Sequence, residues 1–168
     1  AIVNKKPQTC SLKDFLENFL SFREDVVIKR TKFDLYKAEE RAHILIGLTV
    51  SIENLDKIIK IIRSSKTPDE ARNSLLKNKW KINKASKFIK LIENKKSTGS
   101  YTLTLNQVNS ILELRLQKLT ALGIQEIEVE INKLSEMIIQ FKKIINSKKE
   151  LMKVISGELK NIKDKYSE

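Results

Sequence analysis

Apolar residues recur in alternating steps of three and four through the last third of the chain. They are Ile124, Ile127, Ile131, Leu134, Ile138, Phe141, Ile145, Met152, Ile155, Leu159, Ile162 and Tyr166, and only Lys148 stands where another is due. A stripe of this period lies along one side of a helix and forms the seam of a coiled coil. Ser147 and Glu150 have capping-box spacing, so the pattern predicts a fresh helix there and a bend near Asn146. A second stripe runs through the first third: Leu35, Ala38, Ala42, Leu45, Leu48, Ile52, Leu55, Ile59 and Ile62, preceded by Phe15, Phe19, Phe22, Val26, Phe33 and Tyr36. Ser11 followed by Asp14 marks its start, and no proline intervenes between Pro7 and Pro68. The spacing predicts a helix over 11–64, in one piece or two nearly collinear ones, with Gly47 as the weak point because glycine destabilises a helix interior.

Between the stripes the pattern shortens. Thr67, Pro68 and Glu70 supply a cap, a first-turn proline and a closing carboxylate, which predicts a helix ending near Asn78. Asn83 is placed to cap a third helix carrying Phe88, Ile89, Leu91 and Ile92. Residues 94–103 read as a loop. Thr104 with Gln107 opens a fourth helix carrying Leu105, Val108, Ile111, Leu112, Leu114, Leu116 and Leu119, and the chain is predicted to turn near Gly123. At the start, Ile2 and Val3 read as extended, followed by a polar turn and a return over 8–10. A lone hairpin is marginal in water, so this piece is expected to belong to a larger sheet.

Two striped rods cannot stay in water alone. The simplest solution is an all-α fold in which one rod returns along the other, an antiparallel two-helix coiled coil with a small helical globule at its tip. Its parts are a short extended piece at 1–10, an outgoing arm at 11–65, a globule at 66–123 and a returning arm at 124–168. The predicted seam sets Leu45, Ile52, Leu55 and Ile59 against Ile127, Ile131, Leu134, Ile138 and Phe141. Each buried Ile or Leu contributes about 1.5–3 kcal/mol. A parallel zipper between two copies is the weaker solution, since it leaves the insert without a role. The helix starting at Leu105 is apolar around most of its circumference. That surplus either packs inside the globule or faces a partner.

Composition narrows the function classes. The 168 residues carry a net charge of +12, which favours polyanionic partners. Lysine supplies 27 of the 33 positive side chains, and lysine lacks the planar fork that reads bases, so a solvated face is an equal alternative. A basic antiparallel coiled coil that grips nucleic acid is therefore a second hypothesis. The single cysteine, Cys10, excludes an internal disulfide and fits a reducing, cytoplasmic setting. No run reaches membrane-span length, no signal-peptide pattern appears, and the absence of Met at position 1 suggests a piece of a longer chain. Catalytic and metal motifs are missing. His43 has no companions at ligand or triad spacing and reads as a hydrogen-bonded structural histidine. Glu39 and Glu40 point to different helix faces. Trp80 reads as a packing anchor rather than a base-stacking platform.

Four stretches resemble the A-subunit family of DNA gyrase: PQTCSLKDFLENFLSFRE at 7–24, RTKFDLYKAEERAHILIGL at 30–48, LDKIIKIIRSSKTPDEARNSL at 55–75 and SILELRLQKLTAL at 110–122. The related A subunit of topoisomerase IV shares this architecture. The resemblance implies the coiled-coil and exit-gate segment of the breakage-reunion domain. It implies a homodimer through the globule, with Ile111, Leu112, Leu114, Arg115, Leu116, Leu119, Thr120 and Leu122 at the contact, opening to release a duplex held without sequence preference. Mg²⁺ and ATP would enter through the gyrase B protein, and no membrane is implied. The family's nucleophilic tyrosine follows an arginine. Tyr36, Tyr101 and Tyr166 follow Leu35, Ser100 and Lys165, so the resemblance implies no catalytic residue, metal ligand or cofactor of this chain's own. The chain departs from the family at Ala121, usually glycine, with Gly123 two residues later, which implies a turn that closes differently.

Overall fold

The computed structural model describes residues 2–3, 5–7, 9–95, 99–114 and 120–167, the side chain of Leu122 excepted. Among the described residues the fold is all-α apart from two minimal ladders. In chain order the elements are β1 (Ile2–Val3), β2 (Lys6–Pro7), α1 (Leu12–Glu53), α2 (Leu55–Ser64), α3 (Pro68–Lys77), β3 (Trp80–Lys81), α4 (Ala85–Glu93), β4 (Ser100–Tyr101), α5 (Leu105–Leu112), α6 (Ala121–Asn146) and α7 (Lys148–Tyr166). Contacts gather into two units, Ala1–Tyr36 with Ile139–Glu168, and Lys37–Ile138.

Several local signals act as the sequence suggests. Ser11 and Asp14 cap each other at the start of α1, with Ser11 N and Oγ donating to Asp14 Oδ2 at 3.0 and 2.7 Å. Thr67 accepts the Glu70 amide, while the Glu70 carboxylate reaches one residue further back, to the Lys66 amide at 2.8 Å. Ser147 accepts from the Glu150 amide and opens α7.

Other expectations are corrected. The long first helix breaks at Asn54, not Gly47. Asn54 Nδ2 donates to the carbonyls of Val50 and Lys81, both at 2.8 Å, so its side chain competes with the backbone ladder. Gly47 stays helical inside α1, and its lack of a side chain is needed because it faces Gln107: a Cβ there would lie 2.7 Å from the Gln107 Cβ. Asn83 does not cap α4. The Glu53 carboxylate does, accepting the amides of Asn83, Lys84 and Ala85 at 2.9, 2.6 and 3.3 Å, where negative charge complements the helix N-terminus. α5 ends at Leu112, short of the expected Leu114, while Leu116 and Leu119 lie outside the described residues. The helix α6 begins at Ala121, so Gly123 lies inside it, its amide donating to Thr120 Oγ1 at 3.2 Å. The predicted 94–103 loop contains β4, and the N-terminal chain returns at Lys6–Pro7 rather than over 8–10, through Lys5 in the left-handed region at φ 64°.

In the first unit Val27, Leu151 and Ile155 form the buried core, flanked by partly buried Ile28, Ile144, Met152, Val154 and Leu159. A continuous heptad favours Met152 over Leu151 as the inward residue. The new start at Ser147 resets the phase and brings Leu151 inward. Glu158 receives both Arg23 and Arg30 from α1, the first at 2.8 Å. The apolar series runs out of cover towards both ends: Phe15, Phe22, Phe33, Tyr36 and Tyr166 are more than half exposed.

In the second unit α1 runs antiparallel to α6. Arg41 pairs with Glu130 through two hydrogen bonds, at 2.7 and 3.0 Å, while Ile52 further along α1 shares a cavity with Ile124 and Ile127, earlier on α6. Ala38, Ala42, Leu45, Ile46 and Val50 are buried on one side, and Ile127, Ile131 and Ile138 on the other. The shorter helices enclose Trp80, which is fully buried, pairs in register with Tyr101 across β3 and β4, and donates from Nε1 to the Leu75 carbonyl at 3.1 Å.

Candidate functional site

The polar centre of the second unit is built around α5. Gln107 Oε1 accepts the Thr104 amide at 2.9 Å, completing the capping box, and Gln107 Nε2 donates to the His43 carbonyl at 2.7 Å and to the Tyr101 hydroxyl at 3.0 Å. Gln107 is fully buried, and these bonds satisfy its amide. The Tyr101 hydroxyl in turn donates to Glu93 Oε1 at 2.8 Å. His43 Nδ1 lies 2.6 Å from the same oxygen and Nε2 lies 2.8 Å from Thr104 Oγ1. The carboxylate can only accept, so His43 donates to it from Nδ1.

Burial works to raise the pKa of Glu93. Hydrogen bonds from His43, Tyr101 and Lys95 outweigh it and hold the carboxyl down at about 2, with Lys95 Nζ 3.2 Å from Oε2. Tyr101 is pushed up, first by burial, so it remains a donor.

His43 therefore does have companions, brought by the fold from 50 and 61 positions away. Their order, hydroxyl to imidazole to carboxylate, matches a nucleophilic triad. Here the same hydroxyl also accepts the Gln107 amide as the cap of α5, so the arrangement ties α1 and α4 to the start of α5. Sequence offered only the Thr104–Gln107 spacing as a signal. Nothing local marked Glu93 or Tyr101 as partners of His43. Trp80 is a packing anchor, with Lys57 Nζ 4.8 Å above its ring.

Of the predicted seam residues, Leu45, Ile127, Ile131 and Ile138 are buried, whereas Ile52, Leu55, Ile59, Leu134 and Phe141 are half-buried. Ile58, not Ile59, is the buried residue of α2. Of the residues expected at a dimer contact, Ile111 is buried, Leu112 and Leu114 are half-buried and Thr120 is exposed. Arg115, Leu116, Leu119 and the Leu122 side chain lie outside the described residues. A cleft of about 410 Å³ brings Leu114 together with Leu45, Leu48 and Ile127, and is rimmed by Arg41 and Glu130. Among the described residues no group of three His, Cys, Asp or Glu side chains could hold a metal ion, and no helix is long and apolar enough to cross a membrane.

Comparison with known proteins places this architecture. The family model for the A subunit of DNA gyrase/topoisomerase IV matches residues 1–160. The chain is 34% identical over 170 residues to the DNA gyrase A protein of Rickettsia felis, covering 99% of this chain and 19% of that protein. It is 34% identical over 168 residues to the Clostridium acetobutylicum gyrase A protein, covering 100% and 18%, and 36% identical over 180 residues to that of Aeromonas salmonicida, covering 100% and 20%. The chain thus spans about a fifth of the length of these relatives.

Proposed function

Because this chain belongs to the A-subunit family of DNA gyrase/topoisomerase IV, we propose that it is the exit-gate module of a gyrase A protein. It holds two such proteins together through residues 66–123 and opens to release a transported duplex during ATP-dependent supercoiling. One observation carries the reading: α5 ends at Leu112, and Leu112 and Leu114 stand half-buried at the head of the leucine-rich 110–122 segment. Apolar side chains left partly open beside a well-packed core suit an interface that must close and part. The module contributes no catalytic residue of its own. ATP and Mg²⁺ act in the gyrase B protein, and the assembly works in the cytoplasm. The corresponding segment of topoisomerase IV is the second reading. The 34–36% identity to gyrase A proteins along the whole chain favours gyrase.

Sedimentation velocity across concentrations tests the proposal. The chain should dimerise, and Leu114→Glu should weaken the dimer at least about tenfold, since a carboxylate buried without a partner is costly, with helical content unchanged. A chain monomeric at every concentration, or a dimer indifferent to Leu114→Glu, overturns it.

A further inference from the structure

The seam of the second unit is left unfinished at one end. Ile52 near the end of α1 and Ile124 near the start of α6 are only half-buried, although both belong to apolar stripes. The stripe that carries Ile52 is interrupted just beyond it: α1 ends at Glu53, and α2 buries Ile58 instead of the in-phase Ile59. The two half-buried isoleucines line a cavity of about 150 Å³ together with buried Ile127. Its lining comes from 49–53, 83–84 and 124–128, so the space lies where α1 and α6 meet the start of α4.

The charged groups around this space are already engaged. The Glu53 carboxylate accepts the amides of Asn83, Lys84 and Ala85, using both of its oxygens. Lys84 Nζ donates to Glu128 Oε1 at 3.0 Å. The Thr49 hydroxyl donates to the Leu45 carbonyl at 2.9 Å, within its own helix. What the cavity offers an occupant is therefore isoleucine surface, with its charges spent on one another and on a helix cap.

We propose that this cavity is a binding site for a compact, uncharged apolar ligand the size of one aromatic ring. A space of about 150 Å³ is what a benzene-sized ring fills. Isoleucine side chains facing a gap lose dispersion contacts, and such a ring restores them. A charged ligand gives up its hydration there and meets no uncommitted counter-charge in return. Because the lining joins α1, α6 and the start of α4, an occupant that binds only the folded chain ties the three together and stabilises them. The lining comes from a single chain and takes no residue from 110–122, so the site stands or falls independently of the gate.

Methyl NMR of the 168-residue chain, labelled at the isoleucine δ1 carbons and titrated with benzene, is the test. Saturable shifts should be largest at Ile52, Ile124 and Ile127, with a Kd on the order of 0.1–1 mM. Benzoate and benzylammonium, the same ring carrying a charge, should bind at least about tenfold more weakly. Ile52→Phe and Ile124→Phe each fill the space and should weaken benzene binding more than about tenfold. Ile62→Phe on α2, at a position 38% exposed and outside the lining, should leave it unchanged. Benzene at about ten times its Kd should raise the thermal midpoint by roughly 3–5 °C. Shifts of equal size at exposed Ile62 and Ile162 would mean partitioning onto open apolar surface and would overturn the proposal. So would a failure to saturate up to the solubility limit, tighter binding of either charged ring, or unchanged affinity in both cavity-filling variants. Circular dichroism identifies a variant that misfolds, and the ranking of neutral and charged rings on the parent chain then decides alone.

Discussion

The two units bury their residues in different ways. The first rests on three buried apolar side chains, Val27, Leu151 and Ile155, and on one carboxylate, Glu158, shared by two arginines. The second wraps several short helices around Trp80 and threads a chain of hydrogen bonds through His43, Glu93, Tyr101, Thr104 and Gln107. A helix pair can only bury a stripe, so its stability accrues turn by turn along its length. A globule with a central ring and a buried polar network depends on every part being present. The lesson is that one chain can combine an incremental element with an all-or-none one, and mutations should separate the two.

The sharpest way to break the contrast is Trp80→Ala. Removing the fully buried ring should cost about 3–5 kcal/mol, and hydrogen exchange should show lost protection across α3, α4 and α5 while α7 amides keep theirs. Equal deprotection of α7 would show that the units unfold as one. Next comes Glu93. Its folded pKa, about 2, lies below the ordinary 4.5, so it contributes stability that is fully present above about pH 4.5 and is lost as pH falls toward 2. Thermal melts should show Glu93→Gln destabilised by about 1.5–3 kcal/mol at neutral pH, with the gap to the parent chain closing through that acid window. A constant gap would mean that the carboxylate's charge contributes nothing. The smallest effect is expected from Glu158→Gln in the first unit, about 1 kcal/mol or less and shrinking with salt. A cost as large as that at Glu93 would erase the distinction between a clamp on a stripe and a network in a core.

The helices were legible because their signals are local. Capping pairs such as Ser11–Asp14, Thr67–Glu70, Thr104–Gln107 and Ser147–Glu150 act within one turn, and amphipathic period needs no knowledge of the partner. What escaped the sequence was set by distant contacts. Asn54 ends α1 partly because the Lys81 carbonyl is there to receive it. Glu53 displaces Asn83 as a cap because the fold delivers a full carboxylate to three amides at once. The phase of α7 shifted because a restarted helix does not inherit the register of the one before it. At the polar centre, His43 was visible as a lone histidine, but its partners lie 50 and 61 positions away and no spacing rule reaches that far.

Position 47 has a consequence for how freely this region can drift. The gap between Gly47 and Gln107 admits a hydrogen and nothing larger, so this one site acts as a thickness gauge between α1 and α5. A library of all substitutions there should return glycine almost alone, whereas the equally helical Gly157, with open space around its Cβ direction, should accept alanine and gain helix propensity from it. Two glycines of identical local conformation would then differ completely in what replaces them, one held by its neighbour and the other by nothing at all.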